Sequence, residues 1–257
     1  MDSVNIFSLN KVTALVTGAS GGLGEHFART LSKAGATVAL AGRRLEPLQT
    51  LANEINTLGG HAAAVAFDVS NAQAVQNGFA QAEDLLGPIT LLINNSGVTA
   101  TVPLTDAEES TWDAIMDTNL KGAWLCSRTF AQRLIERRQP GTIVNIASVL
   151  GLRVAGQVGI YSASKAALIQ MTHSLALELA RHQIRVNALA PGYIATELNR
   201  QFLETPAGAA LIKRIPQRRL GELADLDGPL LLLCSRASAF MTGAVISVDG
   251  GHLVSSL

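Results

Sequence analysis

Excess charge, cysteine and long apolar runs are what this sequence has least of, and each shortage removes a class of function. Lys and Arg number 20 and are balanced by 20 Asp and Glu, so no overall field draws the chain to nucleic acid or to an anionic membrane. The pairs Arg43-Arg44, Arg137-Arg138 and Arg218-Arg219 remain as local anion sites or as solvated surface. Cys126 and Cys234 lie in apolar helical patterns without the spacing of a metal or redox pair, and two thiols make no disulfide framework. Both read as core residues. The histidines at 26, 61, 173, 182 and 252 form no ligand grouping, so no metal is expected. No apolar run approaches the roughly 18 residues of a membrane span, and residues 1–10 carry Asp2 rather than a positive leader. A cytoplasmic protein is expected.

What is present is a chain able to bury a large core: 48% of residues are apolar and 16% charged, far from the balance of a disordered chain. No repeat, low-complexity tract or linker divides residues 1–257, which are read as one domain. Short β-branched, apolar runs at Val12–Thr17, Thr37–Ala41, Ala62–Phe67, Ile89–Ile93, Gly141–Ala147, Ile184–Ala190 and Ala244–Val248 predict seven strands buried on both faces. Helical periodicity fills Gly22–Ala34, Leu45–Leu58, Asn71–Leu86, Glu108–Arg138 and Ile160–Arg181 between them. That alternation predicts an α/β fold, a Rossmann-type doubly wound parallel sheet with helices on both faces. The alternation pauses over residues 193–216, where Pro206, Gly208 and Pro216 suggest one or two short helices over the crevice, acting as a lid or a fixed cover.

The first strand ends in Thr17-Gly18-Ala19-Ser20-Gly21-Gly22-Leu23-Gly24, and a helical pattern follows at once. Strand, glycine turn and helix stand in the order of a dinucleotide site. Glycines admit a pyrophosphate close to the backbone, and the helix N-terminus presents N–H groups and a favourable dipole. Gly18, Ser20, Gly22, Leu23 and Gly24 are the candidate cradle. The same residues spell Gly18-x-Ser20-x-Gly22, and Asp249 and His252 follow in the order of a hydrolase triad. Only 17 residues precede Gly18, too few for the strands that come before such an elbow. At the end of the second strand, where NAD-binding folds place an acid, stands Gly42-Arg43-Arg44. Arg43 and Arg44 can meet a 2′-phosphate, which predicts NADP(H), with NAD(H) as the alternative.

The fifth strand delivers Ser148 to the carboxyl end of the sheet, and Tyr161 and Lys165 then share one helix face at i and i+4. Carbonyl reduction needs a proton donor and alcohol oxidation a base. A phenol serves both if its pKa falls from about 10. An ammonium about 4 Å away supplies roughly 4 kcal/mol at an effective dielectric near 20, which predicts that Lys165 alone can acidify Tyr161. Ser148 is expected to hold the substrate oxygen.

The Thr17–Gly24 turn, Asn94-Asn95-Ser96-Gly97 and Ser148 with Tyr161-Ser162-Ala163-Ser164-Lys165 resemble the TGxxxGxG, NNAG and Ser/Tyr-x-x-x-Lys patterns of the short-chain dehydrogenase/reductase family, in its 3-oxoacyl-ACP-reductase-like branch. The likeness runs over about residues 10–252. It implies an NAD(P)(H)-dependent oxidoreductase acting on a small-molecule ketone or secondary alcohol. It also implies roles that spacing alone does not carry: Asn119 as fourth catalytic member, bending its helix and anchoring a proton-relaying water, and Lys165 on the nicotinamide ribose. Asp68 and Val69 would lie against adenine, with Asp68 and Ser70 otherwise capping the next helix. Asn94 would brace the sheet, Asn95 and Gly97 would lie along the cofactor, and Pro191, Gly192, Ile194 and Thr196 would stand beside the nicotinamide.

Substrate contacts are expected from residues 98–102 and 149–154, from Gln157 and from the excursion after Tyr193. Leu150, Leu152, Val154 and Ile194 suggest an apolar pocket, and Arg153 is either a carboxylate or phosphate acceptor or a solvent-facing residue. Residues 108–138 and 160–181 carry more apolar side chains than one sheet face covers. Relatives pair through such helices, so a homotetramer is expected, with a dimer as the alternative. The competing reading is a cofactor-sensing binding module on the same fold, against which an intact Ser148, Tyr161 and Lys165 argue.

Overall fold

Runs of four to eight apolar residues are too short for helices and too apolar for one-sided strands, and they assemble here into one sheet. The computed structural model describes residues 6–195 and 205–255. The strands are β1 (Thr13–Thr17), β2 (Thr37–Gly42), β3 (His61–Ala66), β4 (Leu91–Asn94), β5 (Gly141–Ile146), β6 (Ile184–Pro191) and β7 (Val245–Val248). They lie in the order β3-β2-β1-β4-β5-β6-β7, and every pairing is parallel. The helices are α1 (Gly22–Lys33), α2 (Leu45–Thr57), α3 (Ala72–Leu86), α4 (Glu109–Met116), α5 (Gly122–Arg137), α6 (Gly159–Leu179), α7 (Pro206–Arg214) and α8 (Asp227–Cys234).

Alternation along each strand feeds two cores. Ala14, Val16, Val38, Leu40, Leu91 and Ile93 pack with Phe27, Leu48 and Leu230 on one face. Leu15, Ala39, Ala41, Leu92 and Ile143 pack with Phe79, Phe130 and Leu134 on the other. Both faces are dry, which is why the strands read as unbroken apolar runs. Cys126 and Cys234 are buried free thiols, one in each core.

The predicted 108–138 helix is divided: α4 and α5 are joined through a π-helical turn, Asp117–Lys121. The expected bend at Asn119 therefore takes the form of one inserted residue in the hydrogen-bond ladder. Within the predicted 193–216 excursion, the described part holds α7, whose N-cap Thr205 accepts from Gly208 N at 3.1 Å. No helix among the described residues is long and apolar enough to cross a membrane.

The β1–α1 turn brings two backbones into close approach. A Cβ on Gly24 would stand 2.2 Å from the Gly18 carbonyl oxygen and 2.5 Å from Asn95 Nδ2. Gly21, by contrast, faces open space, with nothing within 4 Å of a Cβ there. Gly24→Ala is therefore expected to cost about 1–3 kcal/mol of unfolding free energy by forcing two backbones apart, while Gly21→Ala stays within about 0.5 kcal/mol of the parent. Urea denaturation of both variants checks this, and equal midpoints for the two would contradict the packing account.

Candidate active site

Parallel pairing puts all strand carboxyl ends on one edge, and the order reverses between β1 and β4, where a crevice opens. Thr17 and Asn95 hold its two lips together. Thr17 Oγ1 accepts from Asn95 N at 2.9 Å and Ser96 N at 3.0 Å, and Asn95 Nδ2 donates to the Thr17 and Gly18 carbonyls at 3.0 and 3.3 Å. The glycine turn is thus braced from β4. Gly22 takes φ 57°, and a Cβ on it, as on Gly21, would enter open space. As N-cap of α1, Gly21 gives the first N–H groups no side-chain acceptor. An open glycine face over uncapped N–H groups fits the pyrophosphate of a dinucleotide.

The adenosine end lies toward β2 and β3. A Cβ on Gly42 would meet Leu48 and Ser20 only at ordinary contact, 3.6–3.8 Å, so packing alone does not require glycine there. Arg43 and Arg44 are exposed, with no ion pair among the described residues. Arg44 occupies the N-cap position of α2 without a side-chain bond. The Asp68 carboxylate accepts from Ser70 N and Oγ at 2.9 and 2.8 Å. Ser70's backbone N–H is the main cause holding its pKa below the ordinary carboxylate value, and Arg43 adds to the effect. The cap expected of Asp68 and Ser70 belongs instead to Asn71, whose Oδ1 accepts from Ala74 N at 2.9 Å. Val69 is buried and packs in the second core.

At the centre, Lys165 is buried, and its Nζ donates to the Ile146 carbonyl at 2.7 Å while standing 5.7 Å from the Tyr161 ring centre. Ser148 is buried at the end of β5, and its Oγ accepts from Leu150 N at 3.1 Å, fixing the 3-10 turn Val149–Gly151. Asn119 is wholly buried. Its Oδ1 accepts from Val98 N at 2.7 Å, and its Nδ2 donates to Val98 O at 2.9 Å and Ser164 Oγ at 3.0 Å. Ser164 Oγ in turn donates to the Tyr161 carbonyl at 2.7 Å. A Cβ on Gly97 would lie 3.4 Å from Asn119 Oδ1 and 3.5 Å from Lys165 Nζ. Gly97, Asn119, Ser148, Tyr161 and Lys165 therefore converge.

The electrostatics correct one expectation. Burial pushes the Tyr161 phenol up from its ordinary value, the Ser148 hydroxyl pulls it partly back, and Tyr193 raises it further. Burial also lowers Lys165 to about 8. Lys165 alone therefore does not acidify the phenol: each charged form is penalised by loss of water, and the only hydrogen-bond partner of Nζ among the described residues is a neutral carbonyl.

The remaining candidates divide. Pro191 ends β6, and Gly192 N donates to Val248 O at 2.8 Å, while a Cβ on Gly192 would strike Asp249 Cα at 2.7 Å. The Ile194 side chain is buried in the first core. Leu152 and Val154 are exposed. Thr196 lies outside the described residues. Arg153 is not solvent-facing but bonds the carbonyl of His252 and Ser255 Oγ. The hydrolase triad does not form: Ser20 follows β1, whereas Asp249 and His252 follow β7, with β4, β5 and β6 between. Asp249 Oδ1 and Oδ2 accept from Gly251 N and Leu253 N.

Three buried residues escaped the sequence reading. Ser127 accepts from Asn94 Nδ2 at 2.9 Å, Asn94 Nδ2 also reaches Asn145 Oδ1 at 2.8 Å, and Asn145 Nδ2 donates to Thr172 Oγ1 at 2.8 Å. This polar chain ties β4 and β5 to α5 and α6, and Asn94 braces the sheet as the resemblance implies. Its only signal in the sequence was an asparagine in an otherwise apolar β5.

The short chain dehydrogenase family model matches residues 12–207. Gluconate 5-dehydrogenase of Gluconobacter oxydans (strain 621H) is 38% identical over 256 residues, covering 99% of this chain and 100% of that protein. Galactitol 2-dehydrogenase (L-tagatose-forming) of Cereibacter sphaeroides is 35% identical, with 99% and 100% covered. A crystal structure of a gluconate 5-dehydrogenase from Burkholderia cenocepacia J2315, in complex with NADP and tartrate, superposes with a TM-score of 0.95 at 34% identity over 99% of this chain and 100% of that one. With the glycine turn, the braced β1–β4 crevice, the buried Ser148 and Lys165 and the part-buried Tyr161 in place, this chain belongs to the short chain dehydrogenase family, as an NAD(P)-dependent oxidoreductase that moves a hydride between the nicotinamide and an alcohol or ketone.

Proposed function

We propose that this chain is an NADP(H)-preferring dehydrogenase of sugar acids, oxidising one secondary alcohol of a polyhydroxy carboxylate or reducing the matching ketone. The observation that carries the reading is its end-to-end likeness to gluconate 5-dehydrogenases combined with an intact Ser148, Tyr161 and Lys165 at the crevice. A sensing module has no need of that trio.

Tyr161 gives its proton to the developing alkoxide in reduction and takes one from the alcohol in oxidation. Ser148 holds the substrate oxygen against the phenol. Lys165, fixed by the Ile146 carbonyl, stabilises the phenolate and reaches the nicotinamide ribose. An oxidised nicotinamide, when bound, supplies the hydride acceptor and a further positive charge near the phenol. Asn119 positions the site by clamping Val98. The cofactor is held by Gly18, Ser20, Gly22, Leu23 and Gly24 at the pyrophosphate and by Arg43 and Arg44 at the 2′-phosphate. Asp68 and Val69 lie at adenine, and Asn95, Gly97, Pro191, Gly192 and the Ile194 segment lie along the nicotinamide half. Two buried free thiols need no oxidising compartment, and a cytoplasmic setting belongs to the same proposal.

The assembly we propose is a homotetramer. Trp112, Trp124 and Leu177 are exposed on the α4–α6 face, beside a groove of about 420 Å³ lined by Met116, Leu120, Trp124, Ala167 and Met171. Phe240 and Val254, near the β7 edge, are exposed as well. Two separate apolar patches suit two dyads.

Four outcomes are expected. Tyr161→Phe should lower kcat on gluconate about 10²–10⁴-fold with KM little changed. In the parent, oxidation should rise with pH on the alkaline side, because burial holds the phenol protonated, while reduction falls; parent-like turnover in the Phe variant would remove Tyr161 from the chemistry. Arg43→Ala should raise KM for NADPH about 10- to 100-fold, the worth of one charge-assisted bond, with NADH shifted less than about threefold; equal losses would overturn the NADP assignment. Light scattering at micromolar concentration should give four times the 26.9 kDa chain mass, and a monomer mass would end the assembly proposal.

A further inference from the structure

The turn after β5, the chain after β7 and the Tyr193 ring meet at one corner, where a guanidinium ties the first two together. Arg153 stands just past the Val149–Gly151 turn that Ser148 caps. Its Nη1 donates to the His252 carbonyl and, at 2.7 Å, to Ser255 Oγ. Nη2 and Nε have no partner among the described residues, and no carboxylate there pairs with the group. The His252 ring lies 5.5 Å from the Tyr193 ring at 43°. His252 is 6% exposed, and its Nδ1 is buried with no hydrogen-bond partner.

The charges facing this corner favour an anion. Asp249 is the acid closest in sequence, and both of its oxygens are engaged by the N–H groups of Gly251 and Leu253 at 2.9 and 2.7 Å. Burial raises the Tyr193 phenol, and the positive fields of Arg153 and Arg214 pull it back. Burial and the same two arginines lower His252, with Asp249 opposing. Tyr193 in turn acts on Tyr161. Among the described residues the corner therefore carries more positive than negative charge.

A strap role for Arg153, tying down the C-terminal segment, accounts for Nη1 alone. It leaves one side of a planar fork and a buried imidazole nitrogen without function, although burying a polar group unpaired is costly. We infer that Arg153, in the corner where the His252 segment meets the Tyr193 ring, is a carboxylate subsite that holds the acid end of the substrate while its alcohol or ketone carbon faces Tyr161. This rests on the sugar-acid reading above. The fork gives two parallel N–H···O bonds to a carboxylate, and an alditol, with a hydroxymethyl group in that place, gains neither.

The test compares the parent enzyme with Arg153→Ala, Arg153→Lys and Ser255→Ala. Each is assayed with NADP⁺ on gluconate and on the neutral alditol sorbitol, with tartrate binding measured by calorimetry on the NADP⁺ complex. Arg153→Ala should lose about 10- to 100-fold in kcat/KM on gluconate, mainly through KM, and tartrate binding should weaken by a similar factor, while sorbitol changes less than about threefold. Arg153→Lys should recover part of the gluconate loss. Ser255→Ala removes a tether of the same guanidinium but keeps its charge, and should retain the preference for acid. Equal losses on both substrates, or loss of acid preference in Ser255→Ala, would reduce Arg153 to a strap and overturn the subsite. A parent that oxidises no sugar acid but binds tartrate through Arg153 would end the sugar-acid reading and leave the carboxylate subsite standing.

Discussion

The hydrogen bond from Lys165 Nζ to the Ile146 carbonyl is the contact on which the site depends. An ammonium this deeply buried is costly, and the last carbonyl of β5 is the fixed acceptor that keeps it in place. That acceptor exists only because β5 ends there, and β5 ends there because its neighbours β4 and β6 hold it in parallel register. The lysine in turn sits one helical turn beyond Tyr161, so the placement of one amine orients the phenol. Sheet, helix and chemistry are joined at this point.

Around it, short polar chains substitute for apolar packing where two loops must be held at fixed distance. Thr17 and Asn95 lock the glycine turn to the end of β4. Asn119 locks the Val98 backbone to α6 through Ser164. Asn94, Asn145, Ser127 and Thr172 lock β4 and β5 to the helices behind them. Asn95 and Val98 are part-buried, and the other groups are fully or nearly fully buried, where such bonds are strong and their loss is expensive. The result is a rigid rim on which Ser148 and Tyr161 are already in place.

Much of this was legible in the sequence because it is local. The seven strands announce themselves as β-branched runs, and Tyr161 and Lys165 share a face by helical spacing alone. The glycines at 18, 22 and 24 sit between a strand and a helix, the order that a phosphate turn needs. What escaped was long-range or subtle. The π-helical turn at Asp117–Lys121 uses the same side chains as an α-helix and differs by one residue in its ladder. Ser127 and Thr172 meet their partners only after the sheet has formed. The N-cap at Asn71 rather than Asp68 is a contest between neighbours that differ little in capping strength. The spacing of Tyr161 and Lys165 carries the Coulomb attraction between them, whereas the loss of water around both groups depends on burial that only the folded chain creates.

The polypeptide thus penalises both the phenolate and the ammonium, so that Tyr161 stays protonated until more positive charge stands beside it. The direct measurement is an ultraviolet titration of tyrosinate in a Tyr193→Phe variant, which leaves Tyr161 as the only phenol because the chain has two tyrosines. Without nucleotide, the midpoint should lie above the ordinary value of about 10, and saturating NADP⁺ should move it downward. A midpoint below about 10 in the protein alone, unchanged by NADP⁺, would contradict the account.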